Sequence, residues 1–242
     1  MIRSTRTLAF FAVCFVGSLG CQVGAVTPEG QGFTYLCGSG AQSDAACNEL
    51  PGVPAASAEA PLPDKMAAGS SFRVAFWPSK RGSPEGPLPV LGESKGVMSP
   101  ILGAPGAFRI ERPGSIALVA LGPSDEVLGR ARLEAFAVDH LGFDRFNLQG
   151  GQPSGAETVT NVALERVAER VIVRAVPMNA EGDVLGGTLP CAWSSSNPAV
   201  VTFEGGTDGN VVTIVATGAG ATALHVTLGG KTADLPVTVG AR

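Results

Sequence analysis

Five cysteines carry the most distinctive chemistry of this chain, and two of them lie close together in the sequence. Cys37 and Cys47 flank a polar segment of Gly, Ser and Ala, which predicts a flexible loop. In an oxidising compartment such a pair forms a local disulfide. A zinc site is the alternative, but the chain has no CxxC pair and only 2 histidines, so the disulfide is favoured. Cys191 alternates with apolar neighbours and is interpreted as an unreactive core thiol.

Histidine and serine side chains give no pattern that predicts catalysis. His140 follows Asp139, but acid–base or metal chemistry needs more converging groups than this pair, so a solvated domain edge is favoured. His225 alternates with apolar residues and is predicted to face outwards from a strand. The serines 194–196 follow Trp193 outside any GxSxG turn, so a serine nucleophile is not predicted.

Two glycine-rich segments match parts of phosphate-binding motifs. The segment 218–223 fits GxGxxA, but it leads into a predicted strand, and a pyrophosphate site requires a helix N-terminus. The segment 229–232 ends like a phosphate loop, yet the first glycine of that motif would fall at His225. Both segments are therefore interpreted as turns.

Acidic residues in predicted turns are the remaining candidate ligands. Glu181, Asp183 and Asp208 could join a calcium site between domains, although no DxDxDG loop accompanies them. We therefore predict a protein without catalytic residues, metal or cofactor, which is not an enzyme. An exported enzyme is the least favoured hypothesis, and its site would have to lie in residues 78–107, where candidate groups are Glu85, Glu93 and Lys95.

The charge balance excludes nucleic acid as a partner. The chain has 17 basic and 21 acidic residues, a formal net charge of −4, whereas nucleic-acid binding needs clustered Lys and Arg. Charged residues make up only 16% of the chain, while Gly (33) and Pro (18) are frequent. This composition is typical of turn-rich all-β proteins.

Alternating apolar residues predict two β-rich domains, at residues 64–146 and 157–240. The first contains strand patterns such as Ser71–Phe76 and Ile116–Leu121 and no helix of convincing period. The second contains roughly six or seven short strands, the number expected of an immunoglobulin-like sandwich. The predicted fold class is therefore all-β, with a C-terminal immunoglobulin-like β-sandwich preceded by a second, small β-sandwich-like domain, which is interpreted as a diverged immunoglobulin-like one.

Two segments of low complexity separate these parts of the chain. Residues 21–63, with Pro and Ala alternating before Pro63, predict a disordered tether that carries the disulfide loop. Residues 147–156 are rich in Gln, Gly and Ser and predict a short polar linker. The first is interpreted as a spacer and the second as the joint between the two domains.

The N-terminus resembles the signal peptide and lipobox of bacterial lipoproteins. Arg3 and Arg6 precede an apolar run, Leu8–Val16, which is too short to span a bilayer and is followed by Ser18-Leu19-Gly20-Cys21. The family favours Leu where Ser18 stands. The resemblance implies that residues 1–20 are removed and that the thiol of Cys21 is lipidated. An ordinary secretory signal is the alternative, because the small residues 17–20 also suit a signal peptidase.

Lipidation of Cys21 would make the membrane a partner of this protein. Each buried methylene group contributes about 0.8 kcal/mol, so several acyl chains hold a protein on a bilayer permanently. In lipoproteins an Asp after the lipidated cysteine usually retains the protein at the inner membrane. The residue here is Gln22, which implies an exported protein anchored at the outer membrane.

The C-terminal domain resembles the bacterial immunoglobulin-like group 2 domain. The resemblance rests on Trp193-Ser194-Ser195-Ser196-Asn197-Pro198 and on the segment Ala216–Thr222, and it covers roughly residues 159–239. It implies that Trp193 packs between the two sheets as a structural core residue. Members of this family serve as spacer or binding modules of exported proteins, so the fold alone does not fix the function.

These features lead to one functional hypothesis and one alternative. The hypothesis is a membrane-anchored lipoprotein of the cell envelope that displays immunoglobulin-like modules for adhesion, with an unknown protein or carbohydrate as ligand. The lipid would fix one end, and the C-terminal sandwich would be the distal module. The alternative is a periplasm-facing structural subunit of an envelope complex.

Overall fold

The computed structural model describes residues 32–37, 44–47, 59–78, 86–149 and 152–241. Strands β1–β9 are Gly32–Leu36, Glu59–Pro61, Lys65–Ala67, Ser71–Trp77, Val90–Gly92, Met98–Pro100, Ala107–Ile110, Gly114–Leu121 and Val127–Phe136. Strands β10–β18 are His140–Gln149, Gln152–Thr158, Val162–Leu164, Arg170–Met178, Cys191–Ser195, Val201–Glu204, Val211–Ala216, Gly220–Leu228 and Lys231–Val239. A 3-10 turn occupies Ala45–Cys47. The predicted leader, Cys21 and most of the predicted tether lie outside the described residues.

The first sandwich is built from β1 to β9. One sheet has the order β2-β1-β4-β7-β6 and the other the order β3-β9-β8-β5. Successive side chains of a strand point to opposite faces, so Phe72, Val74 and Phe76 of β4 turn inward together. They pack against Ile116 and Leu118 of β8 in the opposite sheet. This packing closes a core that belongs to the first domain.

The second sandwich is built from β10 to β18. Its sheets have the orders β11-β10-β13-β16-β15 and β12-β18-β17-β14. Val171 and Val173 of β13 and Ile214 of β16 face Trp193 of β14 and Val226 of β17 in one core. The indole Nε1 of Trp193 donates a hydrogen bond to the carbonyl of Gly209 at 2.8 Å, which satisfies its polar atom inside the core.

The two sandwiches have the same topology, strand for strand. Each begins with two consecutive antiparallel strands, β1–β2 or β10–β11, at one edge of the larger sheet. Each smaller sheet has one parallel pair at its edge, β3 with β9 and β12 with β18. The all-β prediction of two consecutive sandwiches is therefore confirmed. No helix among the described residues has the length and apolar character needed to cross a bilayer.

The predicted domain borders are corrected at two places. β1 and β2 lie within the predicted tether, but β1 pairs with β4 and buries Tyr35, so the described part of the first sandwich includes residues from Gly32 onwards and not only those from near residue 64. The predicted linker at 147–156 lies in the β10–β11 hairpin of the second sandwich. β2 and β11 lie at the edges of their sheets, and a strand of an antiparallel sheet needs apolar side chains on one face only, so neither segment has a strong apolar pattern.

Candidate functional site

The two sandwiches meet where residues 184–188 cross the turn between β3 and β4. The amide of Ala67 donates to the carbonyl of Gly186 and the amide of Gly186 to that of Lys65, both at 2.9 Å. Ser71 and Thr188 exchange two further backbone hydrogen bonds, of 3.0 and 2.8 Å. Four main-chain hydrogen bonds therefore join the domains in the manner of a sheet, and they fix both distance and direction. We call this region the junction.

Apolar side chains continue from one core to the other through the junction. Met66 packs in the core of the first sandwich, and its neighbour Ala67 packs in the core of the second. From the second domain, Leu185 and Leu189 enter the same core as Ala67. All four side chains are buried, so separating the domains would expose apolar surface as well as unpaired backbone groups.

Gly187 occupies the tightest position of the junction. Its φ is +103°, a conformation that glycine adopts readily and side chains with a Cβ avoid. A Cβ at this residue would lie 2.6 Å from the Cβ of Ser70 and would also overlap the Ser70 hydroxyl. Only glycine lets residues 186–188 approach the β3–β4 turn this closely.

Asp44 is the buried charged group of the junction. Its carboxylate is 5% exposed and accepts hydrogen bonds from the Tyr35 hydroxyl, from the Ala46 amide at 2.9 Å and from the Gly187 amide at 2.9 Å. The first two donors belong to the first domain and the third to the second domain. Asp44 therefore bonds the two sandwiches to each other through its side chain.

Sequence reasoning missed Asp44, because it places this residue in a flexible loop. The available signal was local: Asp44 directly precedes the three residues Ala45–Cys47, and Asp before a helical turn accepts hydrogen bonds from the amides that begin it. The link to Gly187 spans 143 residues of sequence. No local pattern encodes a contact of that range.

Burial governs the ionisation of the groups around Asp44. Removal from water raises the pKa of the Asp44 carboxyl, and the hydrogen bonds from Tyr35, Ala46 and Gly187 lower it to a smaller extent. Burial and the neighbouring carboxylate also raise the pKa of the Tyr35 phenol, so this phenol stays protonated as a donor. The unfolding free energy of the protein therefore depends on whether Asp44 is protonated.

The sign of this linkage gives a testable pH dependence. A carboxyl with a folded pKa above its unfolded value of about 3.9 contributes stability below that value and loses it as the pH rises through the folded pKa. We expect the excess in unfolding free energy of wild type over Asp44→Asn to shrink as the pH is raised from about 4. Urea unfolding of both proteins across this range measures it, and parallel pH profiles would contradict the buried position of the Asp44 carboxyl.

An ion pair closes the rim of the junction. Lys65 Nζ lies 2.6 Å from Asp183 Oδ2, and the buried Asn179 side chain donates to the same carboxylate oxygen at 2.9 Å. These bonds hold the pKa of Asp183 below its usual range, and the hydrogen bond to Asp183 raises the pKa of Lys65. Within the described ranges, no group of three or more His, Cys, Asp or Glu side chains could hold a metal ion. Asp183, one of the three turn residues considered as calcium ligands, bonds to Lys65.

An apolar groove lies at the opposite edge of the first sandwich. It has a volume of about 550 Å³ and is lined by β5, β6, the start of β7 and the loop 101–107. Leu102 is 95% exposed at its rim, beside the exposed Leu91 and Ile101. Glu93 is the one titratable side chain among its lining residues. The groove can take up an apolar group, but acid–base chemistry would need a second ionisable partner.

The sheet register shows where the polar side chains of β14, β17 and β18 lie relative to one another. On three adjacent strands Ser194 lies opposite His225, and His225 lies opposite Asp234 with 2.6 Å between Nδ1 and Oδ1. Sequence reasoning did not foresee this row. The described hydrogen bonds include none between Ser194 and His225, and all three residues are exposed. The row is a polar cross-strand ladder on an exposed face of the smaller sheet.

The cysteines take up separate roles. Cys37 and Cys47 are joined by a disulfide with 5.6 Å between their Cα atoms, as the sequence predicts. Cys191 is a free, half-buried thiol, and burial raises its pKa to about 12. A thiol that stays protonated at neutral pH is a poor nucleophile. His140, which the sequence places at a domain edge, is exposed and lies 3.1 Å from the carboxylate of Asp139.

The chain is similar to several solved structures at low sequence identity. No protein-family model and no curated protein matches it. Domains 4 and 5 of the S-layer protein SbsC are 14% identical, with a TM-score of 0.32 over 63% of this chain and 75% of that one. A C-terminal fragment of intimin, in complex with the intimin-binding domain of its translocated receptor, is 15% identical, with a TM-score of 0.31 over 73% of this chain and 62% of that one. The Yersinia pseudotuberculosis adhesin InvE is 16% identical, with a TM-score of 0.31 over 73% of this chain and 56% of that one.

These similarities are limited to the general architecture. The chain spans less than two thirds of the intimin fragment and of InvE, and the TM-scores are near 0.3 in all three cases. Likeness at this level carries no argument about partners or activity. The resemblance of residues 159–239 to the group 2 domain therefore remains a prediction from the sequence.

Proposed function

We propose that this chain is an exported lipoprotein of the cell envelope that displays two immunoglobulin-like sandwiches as one rigid arm. Its role would be adhesion, through a protein or carbohydrate ligand. The observation that carries the proposal is the junction, where four backbone hydrogen bonds and the Asp44 carboxylate join the two domains. A rigid connection suits display, because it holds the second sandwich at a fixed distance and direction from the first.

Anchoring through Cys21 supplies the membrane end of this arm. The proposal rests on the lipobox resemblance of residues 18–21 and on Gln22, which together favour the outer membrane. Several acyl chains would give effectively permanent attachment. The resemblance of the second sandwich to group 2 domains agrees with a spacer or binding role. No catalytic step is included, since the apolar groove offers a single ionisable side chain.

A structural subunit of an envelope complex is the second candidate function. The groove beside β5 and β6 favours it, because three exposed apolar side chains, Leu91, Ile101 and Leu102, lie around one cavity. Contiguous apolar surface of this kind marks contacts with other proteins. Co-purification with a fixed partner in stoichiometric amount, resistant to detergent, would favour this role over adhesion.

Membrane fractionation with the Cys21→Ala variant tests the proposed anchor. We expect wild type in the membrane fraction and Cys21→Ala in the soluble fraction, because the variant has no thiol to lipidate. Cys14→Ala is the matched control, since it removes a nearby cysteine, one that belongs to the leader, without touching the lipobox. Protease added to intact cells then locates the arm.

Three outcomes of this experiment separate the functions. Digestion of membrane-bound wild type in intact cells supports surface display for adhesion. Protection of membrane-bound wild type favours the periplasm-facing subunit. A soluble wild-type protein would contradict the lipid anchor and leave an exported β-sandwich protein without attachment to the membrane.

A further inference from the structure

The disulfide and the inter-domain contact of Asp44 form one continuous unit. Cys37 directly follows β1, whose Tyr35 is paired with Val74 of β4 in the core of the first sandwich. Cys47 ends the 3-10 turn, and its amide donates to the carbonyl of Asp44 at 2.9 Å. The bond between the two sulfur atoms therefore attaches the turn that carries Asp44 to the end of β1.

We propose that the Cys37–Cys47 disulfide is a redox latch for the junction. In the oxidised chain the disulfide holds the Asp44 carboxylate against the Gly187 amide and locks the two sandwiches together. In the reduced chain the turn is free to leave β1, and the Gly187 amide loses its acceptor. The two sandwiches stay folded and keep the four backbone hydrogen bonds of the junction, but the contact between Asp44 and Gly187 opens.

The position of the contact favours a latch over a general staple of the first sandwich. Asp44 accepts the hydrogen bonds from Tyr35 and Gly187 at one end of the β1–β4 pair. The core of the first sandwich is formed by other side chains, among them Phe72 and Val74 of β4 and the apolar residues of β8. Cys37 is buried in that core at the end of β1, whereas Cys47 is only partly buried at its border. Releasing Cys47 and its turn exposes little apolar surface of the core but removes the acceptor of Gly187.

Closing the latch is an ordinary thiol–disulfide exchange with a disulfide donor of the export compartment. One thiolate of the pair attacks the donor disulfide and forms a mixed disulfide, which the second thiolate then displaces. The two thiols lose two electrons and two protons in total, and the donor is reduced to its dithiol. The contact between Asp44 and Gly187 would therefore be secured only in an oxidising compartment, and this inference holds whether or not Cys21 carries lipid.

Hydrogen exchange of single amides tests the latch in the purified full-length chain. The readout is the Gly187 amide, with the Val74 and Val173 amides as reporters of the two cores. Reduction with tris(2-carboxyethyl)phosphine, or the double substitution Cys37→Ser and Cys47→Ser, is expected to speed exchange at Gly187 about tenfold or more, while both core reporters stay protected. Cys191→Ser is the matched control, because it removes the free thiol and leaves the disulfide intact.

A second variant shows whether the carboxylate is the connecting group. Asp44→Ala, with the disulfide intact, is expected to raise exchange at Gly187 as much as reduction does. Unchanged exchange at Gly187 in the reduced chain would overturn the latch. Equal acceleration at Val74 would overturn it too, because the disulfide would then stabilise the first sandwich as a whole.

Discussion

Gly187→Ala is expected to destabilise this protein far more than an ordinary glycine substitution in a turn. A side chain at φ +103° costs about 1–2 kcal/mol in backbone strain. The new Cβ would also lie 2.6 Å from the Ser70 Cβ, inside a junction that has no room to expand, and such overpacking costs about 1–3 kcal/mol more. Urea unfolding followed by circular dichroism measures the total loss.

Gly182→Ala is the matched control for this prediction. Gly182 lies in the same connection between β13 and β14 and also has a positive φ, of +84°, but a Cβ there meets no atom within 4 Å. This variant should lose only the backbone term of about 1–2 kcal/mol. If the two variants lost the same stability, the close approach of Gly187 to Ser70 would not exist in solution.

Trp193→Ala is expected to lower the unfolding free energy of the second sandwich by about 3–5 kcal/mol, the usual loss for a large aromatic residue in a core. The indole is buried, lies 6.2 Å from the ring of Phe143 and donates its Nε1 proton to Gly209. Alanine would remove all of this and leave a cavity between the sheets. Chemical unfolding followed by circular dichroism measures the loss.

Two controls accompany this experiment: the variant Trp193→Phe, and the fluorescence of Trp77 as a reporter of the first sandwich. Phenylalanine keeps most of the ring volume but leaves the Gly209 carbonyl without its donor, so the loss should be smaller, about 1–3 kcal/mol. The chain has 2 tryptophans, and Trp77 lies in β4, so its fluorescence reports on the first sandwich in the Trp193 variants. A loss below about 1 kcal/mol for Trp193→Ala would contradict the packing of this residue between the sheets.

The strands of both cores were predictable because burial of one face imposes a period of two on the sequence. The strand patterns Ser71–Phe76 and Ile116–Leu121 alternate or run apolar along their length, and they lie in β4 and β8 as expected. β1 was missed because it is only five residues long and contains Gly and Thr, so its apolar pattern is weak. In the structure Tyr35 is the aromatic side chain of β1 that is fully buried. β11 was missed because an edge strand with a polar face has almost no apolar pattern.

The junction could not be predicted, since its parts look like ordinary turns when read alone. Gly186 and Gly187 form a Gly-Gly pair of the kind found in many loops, and the side chain of Ala67 is too small to indicate a core position from the sequence. Their roles come from main-chain hydrogen bonds between distant segments, which carry no side-chain signature. The Cys37–Cys47 disulfide was predictable because the pairing needs only two nearby thiols, but its connection to Gly187 through Asp44 was not.

Whether the two sandwiches move as one body is decided most directly by ¹⁵N relaxation of the oxidised chain. The amides of β4 in the first domain and of β13 in the second give the rotational correlation time of each sandwich separately. One common correlation time, typical of a single particle, is the expected result, because the junction joins the domains through four backbone hydrogen bonds and a buried carboxylate. Two different and shorter correlation times would mean independent domains and would contradict a rigid arm.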